Sequence, residues 1–410
     1  MIQRALSYTL APPPGPSLRM LLAAPWFAVL AALVLLAAGA PALDSRWSPP
    51  TLAATHLMTI GFLSLAMAGS LLQLIPVVAG NPISPLAGRI CFPSLSAGAV
   101  LLAAAFLGGA PWLFACAAAV LALGFGALAA FAIPAALRAC PPGALPMVRG
   151  IRLALPALVA TAAMGIALAL FLAGGPALPA MLVTGLHAGW GLVGWVAALV
   201  VCVSFQVIPM FQTTPAYPAP VARAAPVALV ALLLAWSAAQ LAAPALETAA
   251  AAALALLLAG FSILTLGLLL RRKRADTDTG TRYWRLALAC LAACPALYLC
   301  GAEPLLIGIT FIVGFAMSAV NGMLYRIVPF LLWYHLQQDP RNGRAQVPGV
   351  KNILPDAQAR RQFWWHAAAL GLLLCAVRWP LLARPAALLF GAASARLGLD
   401  LARAARALQP

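Results

Sequence analysis

The sequence predicts an all-α membrane protein of about twelve transmembrane helices, and three observations carry that prediction. Hydrophobic residues fill 64% of the 410 positions and charged residues only 8%, whereas a soluble domain runs near half and a quarter. The mean hydropathy is +0.99. Apolar runs of the roughly 20 residues that cross a bilayer follow one another with short polar breaks. A pattern ending in proline then recurs in the second, sixth and tenth runs. Residues 1–410 read as one polytopic domain with no separate soluble part.

Taken in order, the spans fall at 20–42, 51–76, 90–110, 112–137, 151–174, 180–211, 221–243, 246–270, 284–302, 304–334, 363–379 and 383–402. Arg378, Trp379, Pro380 and Arg384 interrupt the last two, and Arg396 cuts into the final one. The opening stretch MIQRALSYTLAPPPGPSLRM has no apolar segment directly after its basic residues. It does not read as a signal peptide, and the first span is expected to stay in the mature protein. Pro12-Pro13-Pro14 and Pro141-Pro142 read as linker punctuation.

The net charge of +17 is a topology signal. Arg4, Arg19, Arg89, Arg138, Arg149, Arg152, Arg223, the RRKR run at 271–274, Arg282 and Arg285 all fall on one side of the twelve-span layout. The basic residues of the 335–362 loop and of the tail fall there too, while the other side has Asp44, Arg46, Glu247 and Glu303, with little else until Arg378 and Arg384. The positive-inside rule therefore predicts cytoplasmic termini and a cytoplasmic 335–362 loop, in an inner membrane. No basic face carries interleaved aromatics, so nucleic acid is not an expected partner. The eight cysteines are scattered, mostly in apolar runs, without a CxxC pair. Cys290 and Cys294 share a helix face, which suits a metal or, more simply, close helix packing.

The repeat lies four helices apart. Near their cytoplasmic ends the second, sixth and tenth spans read Gln73-Leu-Ile-Pro76, Gln206-Val-Ile-Pro209 and Arg326-Ile-Val-Pro329. A proline there ends or bends the helix, and the freed carbonyls want a polar neighbour. Concordant position, orientation and spacing predict three pseudo-symmetric four-helix units, at about 20–137, 151–270 and 284–402. Binding sites commonly lie at the interface of such repeats. His56 and His187 sit at similar depths, about 8–10 Å into their spans from the periplasmic side at the helical rise. An imidazole in lipid is costly, so each should face protein, water or a ligand.

These residues resemble subunit I of the heme-copper oxidases. That family has twelve helices in three four-helix arcs and a heme-ligating histidine on its second helix. Pro76-Val-Val-Ala-Gly80-Asn-Pro82 looks like the ending of that helix, and His56 occupies the matching place. THLMTIGF with QLIPVVAG also resembles the NnrS-type membrane proteins, a family tied to heme, copper and nitric oxide tolerance. Strings like NGMLYRIVPFLLWYHLQ and FQVIPMFQTTPAYP are similar to bacterial proteins of the same superfamily. The resemblance implies heme b or copper at His56 and His187, and a respiratory or nitrosative-stress setting. It also marks a departure. The tenth span, 304–334, has no histidine, nor has the seventh, and four histidines in the chain cannot build two hemes and a three-histidine copper site. Oxygen reduction is not expected, and no catalytic residue is assigned.

The remaining candidates divide between sites and scaffold. Gln73, Gln206 and Arg326 form an expected polar cluster at the cytoplasmic side, with Asn321 and Tyr325 one turn apart beside Arg326. That cluster is either structural or an anion, propionate or substrate site. Arg326 is also close enough to the helix end to snorkel. His335 and His366 end the tenth span and begin the eleventh, among Trp333, Tyr334, Trp364 and Trp365. This reads as an interfacial aromatic belt or a cytoplasmic metal or quinone site. Gly189-Trp190-Gly191-Leu192-Val193-Gly194 matches GxGxxG but has no strand before it, so helix packing is the better account. Two rival functions stand beside the cofactor reading. One is a transporter using Gln73, Gln206 and Arg326; the other is an assembly partner of a respiratory complex, contacting it through the 335–362 loop.

Overall fold

The computed structural model describes residues 12–274, 278–338 and 349–406. Twelve long helical segments and a few short turns account for them, with no strand among the described residues. They are α1 (Pro14–Ala38), α2 (Pro49–Ala79), α3 (Leu86–Gly108), α4 (Pro111–Leu137), α5 (Leu145–Leu172), α6 (Ala180–Gln212), α7 (Ala219–Ala242), α8 (Glu247–Leu270), α9 (Thr279–Leu299), α10 (Pro304–Gln337), α11 (Asp356–Arg378) and α12 (Ala383–Arg406). Nine are long and apolar enough to cross a membrane; α9, α11 and α12 fall short of that mark. The chain is a multi-pass membrane protein by that criterion.

Local chemistry sets the ends. Proline occupies the first turn of α1, α2, α4 and α10, where its missing N–H costs nothing. Ser48 caps α2 by accepting from the Thr51 N–H at 3.4 Å, and Asp278 caps α9 by accepting from the Thr281 N–H at 2.9 Å. Left-handed residues close α2 and α6: Gly80 at φ 71° and Thr213 at φ 52°. Counted from Pro76 and Pro209, the two are the same position. The prolines themselves do not end their helices. α2 and α6 run three residues beyond Pro76 and Pro209, and α10 runs eight beyond Pro329. The missing N–H falls close enough to the helix end to be tolerated.

α2, α6 and α10 form the interior. The buried share of their apolar stretches is 83%, 61% and 72%, against 44% or less for the other six apolar helices. Around them α4 packs on α5, α8 on α9 and α12 back on α1, so the chain closes on itself. Each inner helix carries a π-helical stretch of eight residues, Leu57–Ser64, Trp190–Ala197 and Thr310–Met317. Such wide turns are rare and concentrate at functional sites. All three stand at one register, nine residues before Gln73, Gln206 and Arg326. Each repeats a tripeptide: Ile60-Gly61-Phe62, Val193-Gly194-Trp195 and Val313-Gly314-Phe315. The three aromatics are at most 2% exposed. The stretches of α2 and α6 both meet that of α10, and Trp195 Nε1 donates to Ser64 Oγ at 3.2 Å. Trp195→Phe, which removes that bond and little volume, is expected to cost about 1 kcal/mol in an unfolding titration in mixed micelles.

Candidate functional site

His56 is the last residue before the π-helical stretch of α2, and His187 lies three residues before that of α6. The two rings lie together, with centroids 6.2 Å apart and planes 18° from parallel. His56 Nδ1 lies 2.8 Å from the Leu52 carbonyl, and His187 Nδ1 lies 3.0 Å from the Thr161 carbonyl on α5. A carbonyl only accepts, so both Nδ1 atoms carry the proton and both Nε2 atoms keep a lone pair. This is the tautomer a metal-ligating histidine adopts, with a carbonyl as its outer partner. No other described group hydrogen-bonds either Nε2.

α3 and α5 surround this pair. His187 lies against α5 where Gly165 leaves room; a Cβ there would come within 2.8 Å of the imidazole Cε1. Phe106 flanks His56 at 5.2 Å between centroids. No residue over 159–168 of α5 is fully buried, and over 180–193 of α6 only Leu186 is. The matching stretch at the start of α10, 300–313, is likewise little buried before its π-helical stretch, with only Leu305 buried over 300–309. Among the described residues no three His, Cys, Asp or Glu come together. The pair therefore has two protein donors and no third.

The expected polar cluster does not form. Gln73 is 6% exposed and its Nε2 donates to the carbonyls of Pro12 and Pro13, each at 3.4 Å. Gln206 lines a cavity between the inner helices together with Gln73. Arg326 turns away from both and pairs with Asp278, the cap of α9, beside Gln212. Asp278 pairs in turn with Arg274 at 3.8 Å. A partner 48 residues away on another helix satisfies the guanidinium, so no snorkelling is needed.

His335 ends α10 half-buried, its ring edge-on to Tyr334 at 5.3 Å. His366 is not interfacial. α11 begins at Asp356 rather than 363, because Asp356 ties it to α9 by accepting from the Thr279 N–H (3.0 Å) and Oγ1 (2.9 Å). His366 is thereby carried into the third turn, fully buried, with Nε2 2.8 Å from Ser318 Oγ. The same early start shortens the expected loop. α10 runs past residue 335 and Val350–Ile353 is helical, while 339–348 lies outside the described residues.

Around His366, α9 to α12 enclose a buried polar chain that residue spacing had not suggested. Tyr283 Oη donates to Gln362 Oε1, whose amide donates to the Ala393 carbonyl at 3.2 Å. Tyr325 Oη donates to Asp400 Oδ2 at 2.9 Å rather than bonding within α10, and Arg396 pairs with Asp400 at 3.7 Å. Asn321 is fully buried, and its amide has no described partner. One signal in the sequence was available: Asp400 is the only acid in the last span, four residues after Arg396 and so on the same face.

The remaining expectations resolve as packing. Cys290 Sγ lies where a Cβ on Gly314 would be 2.6 Å away, which is the small-residue role, and all eight cysteines are free. The glycines at 189, 191 and 194 receive Trp236, Thr161 and Leu233 with Ala157. The sequence matches no protein-family model and no curated protein, and the histidine pair is read on its own geometry.

Proposed function

We propose that this chain is a non-catalytic, heme-binding protein of the bacterial inner membrane. Its three four-helix units resemble subunit I of the heme-copper oxidases, and both termini are cytoplasmic. The observation that carries the proposal is the arrangement of His56 and His187. Imidazole nitrogens sit about 2 Å from a metal, and a ring centroid lies about 1 Å behind its nitrogen. Two imidazoles on opposite sides of one metal therefore stand about 6 Å apart, close to the 6.2 Å found. Face-to-face contact would need a shorter spacing.

The donor count separates the candidate metals. A bare divalent ion asks for about four donors, and two gather here. A porphyrin brings four nitrogens of its own and asks the protein for two, so heme b fits this pair better than copper. Held by His56 and His187, such a group would supply electron transfer or storage. The chain's own part is to fix both tautomers through Leu52 and Thr161.

The threefold architecture is supported by the shared register of the three π-helical stretches, and by the packing of each fourth helix on the next unit's first. The respiratory or nitric-oxide setting rests on the resemblance of THLMTIGF and QLIPVVAG alone. Transport through Gln73, Gln206 and Arg326 is less well supported, since Arg326 is committed to Asp278.

The test is the visible spectrum of detergent-purified protein from heme-replete cells, oxidised and dithionite-reduced, with metal analysis of the same sample. A Soret band is expected, lost in His56→Ala and in His187→Ala and kept in His335→Ala. A colourless preparation holding about one copper per chain would move the site to copper. A colourless, metal-free one would sink the proposal.

A further inference from the structure

Between Asp44 and Glu247 the chain carries six arginines and not one acid or lysine. Four of the six, Arg138, Arg149, Arg152 and Arg223, gather at one corner of the fold, where the end of α4 meets the starts of α5 and α7. Hydrogen bonds fix that corner. Arg152 Nε and Nη2 donate to the carbonyls of Ala136 and Arg138 at 2.7 and 2.8 Å, tying α5 to the end of α4. Arg149 Nη1 reaches the Arg223 carbonyl at 3.5 Å, tying α5 to α7. Arg223 Nε bonds the Ala219 carbonyl one turn back at 3.2 Å, and Arg138 is exposed.

Every one of these acceptors is a neutral carbonyl. Among the described residues no carboxylate pairs with any of the four arginines, whereas Arg274 and Arg326 share Asp278 and Arg396 has Asp400. The helix ends add to the imbalance. α5 and α7 both begin at this corner, neither Ala144 nor Pro218 supplies a side-chain cap, and neither first turn holds an acid. Uncapped N–H groups and the positive end of the helix dipole favour an anion there, and cations belong at the opposite end. Four like charges and two such helix ends therefore call for a counter-charge from outside the chain.

Position names its source. α4, α5 and α7 are each apolar and long enough to cross a membrane, so the corner stands at the edge of the hydrocarbon, bordered by the exposed Leu137 and Leu145. The anion met at that depth is a lipid phosphate, which a guanidinium matches with two parallel hydrogen bonds. A zwitterionic lipid brings its own cation and leaves the excess charge in place. We infer that this corner binds an anionic phospholipid, of the phosphatidylglycerol class. The phosphate lies among Arg138, Arg149 and Arg223, the acyl chains run past Leu137 and Leu145, and Arg152 holds the corner together. The site is independent of the histidine pair.

Delipidated full-length protein in mild detergent is titrated with phosphatidylglycerol, or with phosphatidylcholine of the same chains, and bound lipids are counted by native mass spectrometry. Phosphatidylglycerol is expected to bind about tenfold more tightly. Arg138→Gln combined with Arg223→Gln should erase that preference and leave phosphatidylcholine unchanged. Arg149→Gln alone should cost about fivefold, and decides the matter if the paired variant fails to fold. Arg360→Gln combined with Arg361→Gln, the same loss of charge on α11, should leave the preference intact. Millimolar inorganic phosphate should not displace the lipid, because the acyl chains add to its hold. Equal binding of the two lipids, a preference that survives Arg149→Gln, an equal loss in the α11 variant, or displacement by phosphate would overturn the assignment.

Discussion

Gly61→Ala is expected to be among the most destabilising single-methyl changes in this protein. A Cβ at Gly61 would stand 2.3 Å from Phe27 Cδ1 and 2.7 Å from Phe27 Cβ, so the ring cannot simply swing aside. Its equivalents face softer neighbours. At Gly314 the nearest atom is Cys290 Sγ at 2.6 Å, and at Gly194 it is a Leu233 methyl at 2.9 Å. Overpacking costs about 1–3 kcal/mol, while replacing a helical glycine by alanine returns about 0.5–1 kcal/mol. The order expected is therefore Gly61→Ala at about 2 kcal/mol, Gly314→Ala at about 1, and Gly194→Ala near neutral. Unfolding in mixed micelles, followed by tryptophan fluorescence, ranks them. Phe27→Ala, costly alone, should restore stability to Gly61→Ala beyond additivity, because the two changes share one contact. Three equal effects would mean that the glycines serve backbone freedom at the π turns and not the approach of a neighbour.

The glycine triplet also shows what the sequence kept hidden. Gln73, Gln206 and the three prolines stand out because polar and helix-breaking residues are rare in apolar runs. Ile-Gly-Phe, Val-Gly-Trp and Val-Gly-Phe have no such contrast, and emerge only once the prolines set the register. Hydropathy located nine spans well because it measures preference for lipid. It misplaced the start of α11 because polar first turns that bond to another helix are not lipid-seeking, and with that error His366 went from the interface to the core. The pairing of His56 with His187 was expected from depth alone, but they are not at equivalent positions of the repeat. His56 adjoins its π stretch and His187 precedes its own by three residues, yet the rings stand 6.2 Å apart. Arg326 was grouped with the glutamines by register. Its partner was beyond reach of pattern, since Asp278 belongs to the polar break before α9.

Asp400 sets up the other large effect, because its carboxylate side chain is 1% exposed and leans on two groups. Tyr325 donates to Oδ2 at 2.9 Å and Arg396 stands 3.7 Å from the same oxygen. Arg396 also lies 5.9 Å from the Trp365 ring. Removing one member of such a pair leaves the other charge buried alone, which costs about 3–5 kcal/mol, whereas removing both charges is often neutral. Arg396→Leu is therefore expected to destabilise by about 3 kcal/mol, the lower figure because the arginine is 25% exposed. Asp400→Asn, which keeps an acceptor for Tyr325, should cost less. Arg396→Leu combined with Asp400→Asn should recover at least half of the single-variant loss. Measured by the same micelle titration, a double variant no better than the sum of its parts would show that Arg396 holds α12 by packing on Trp365 and not by charge. A recovered double variant would show that Arg396 and Asp400 hold α12 as a charge pair.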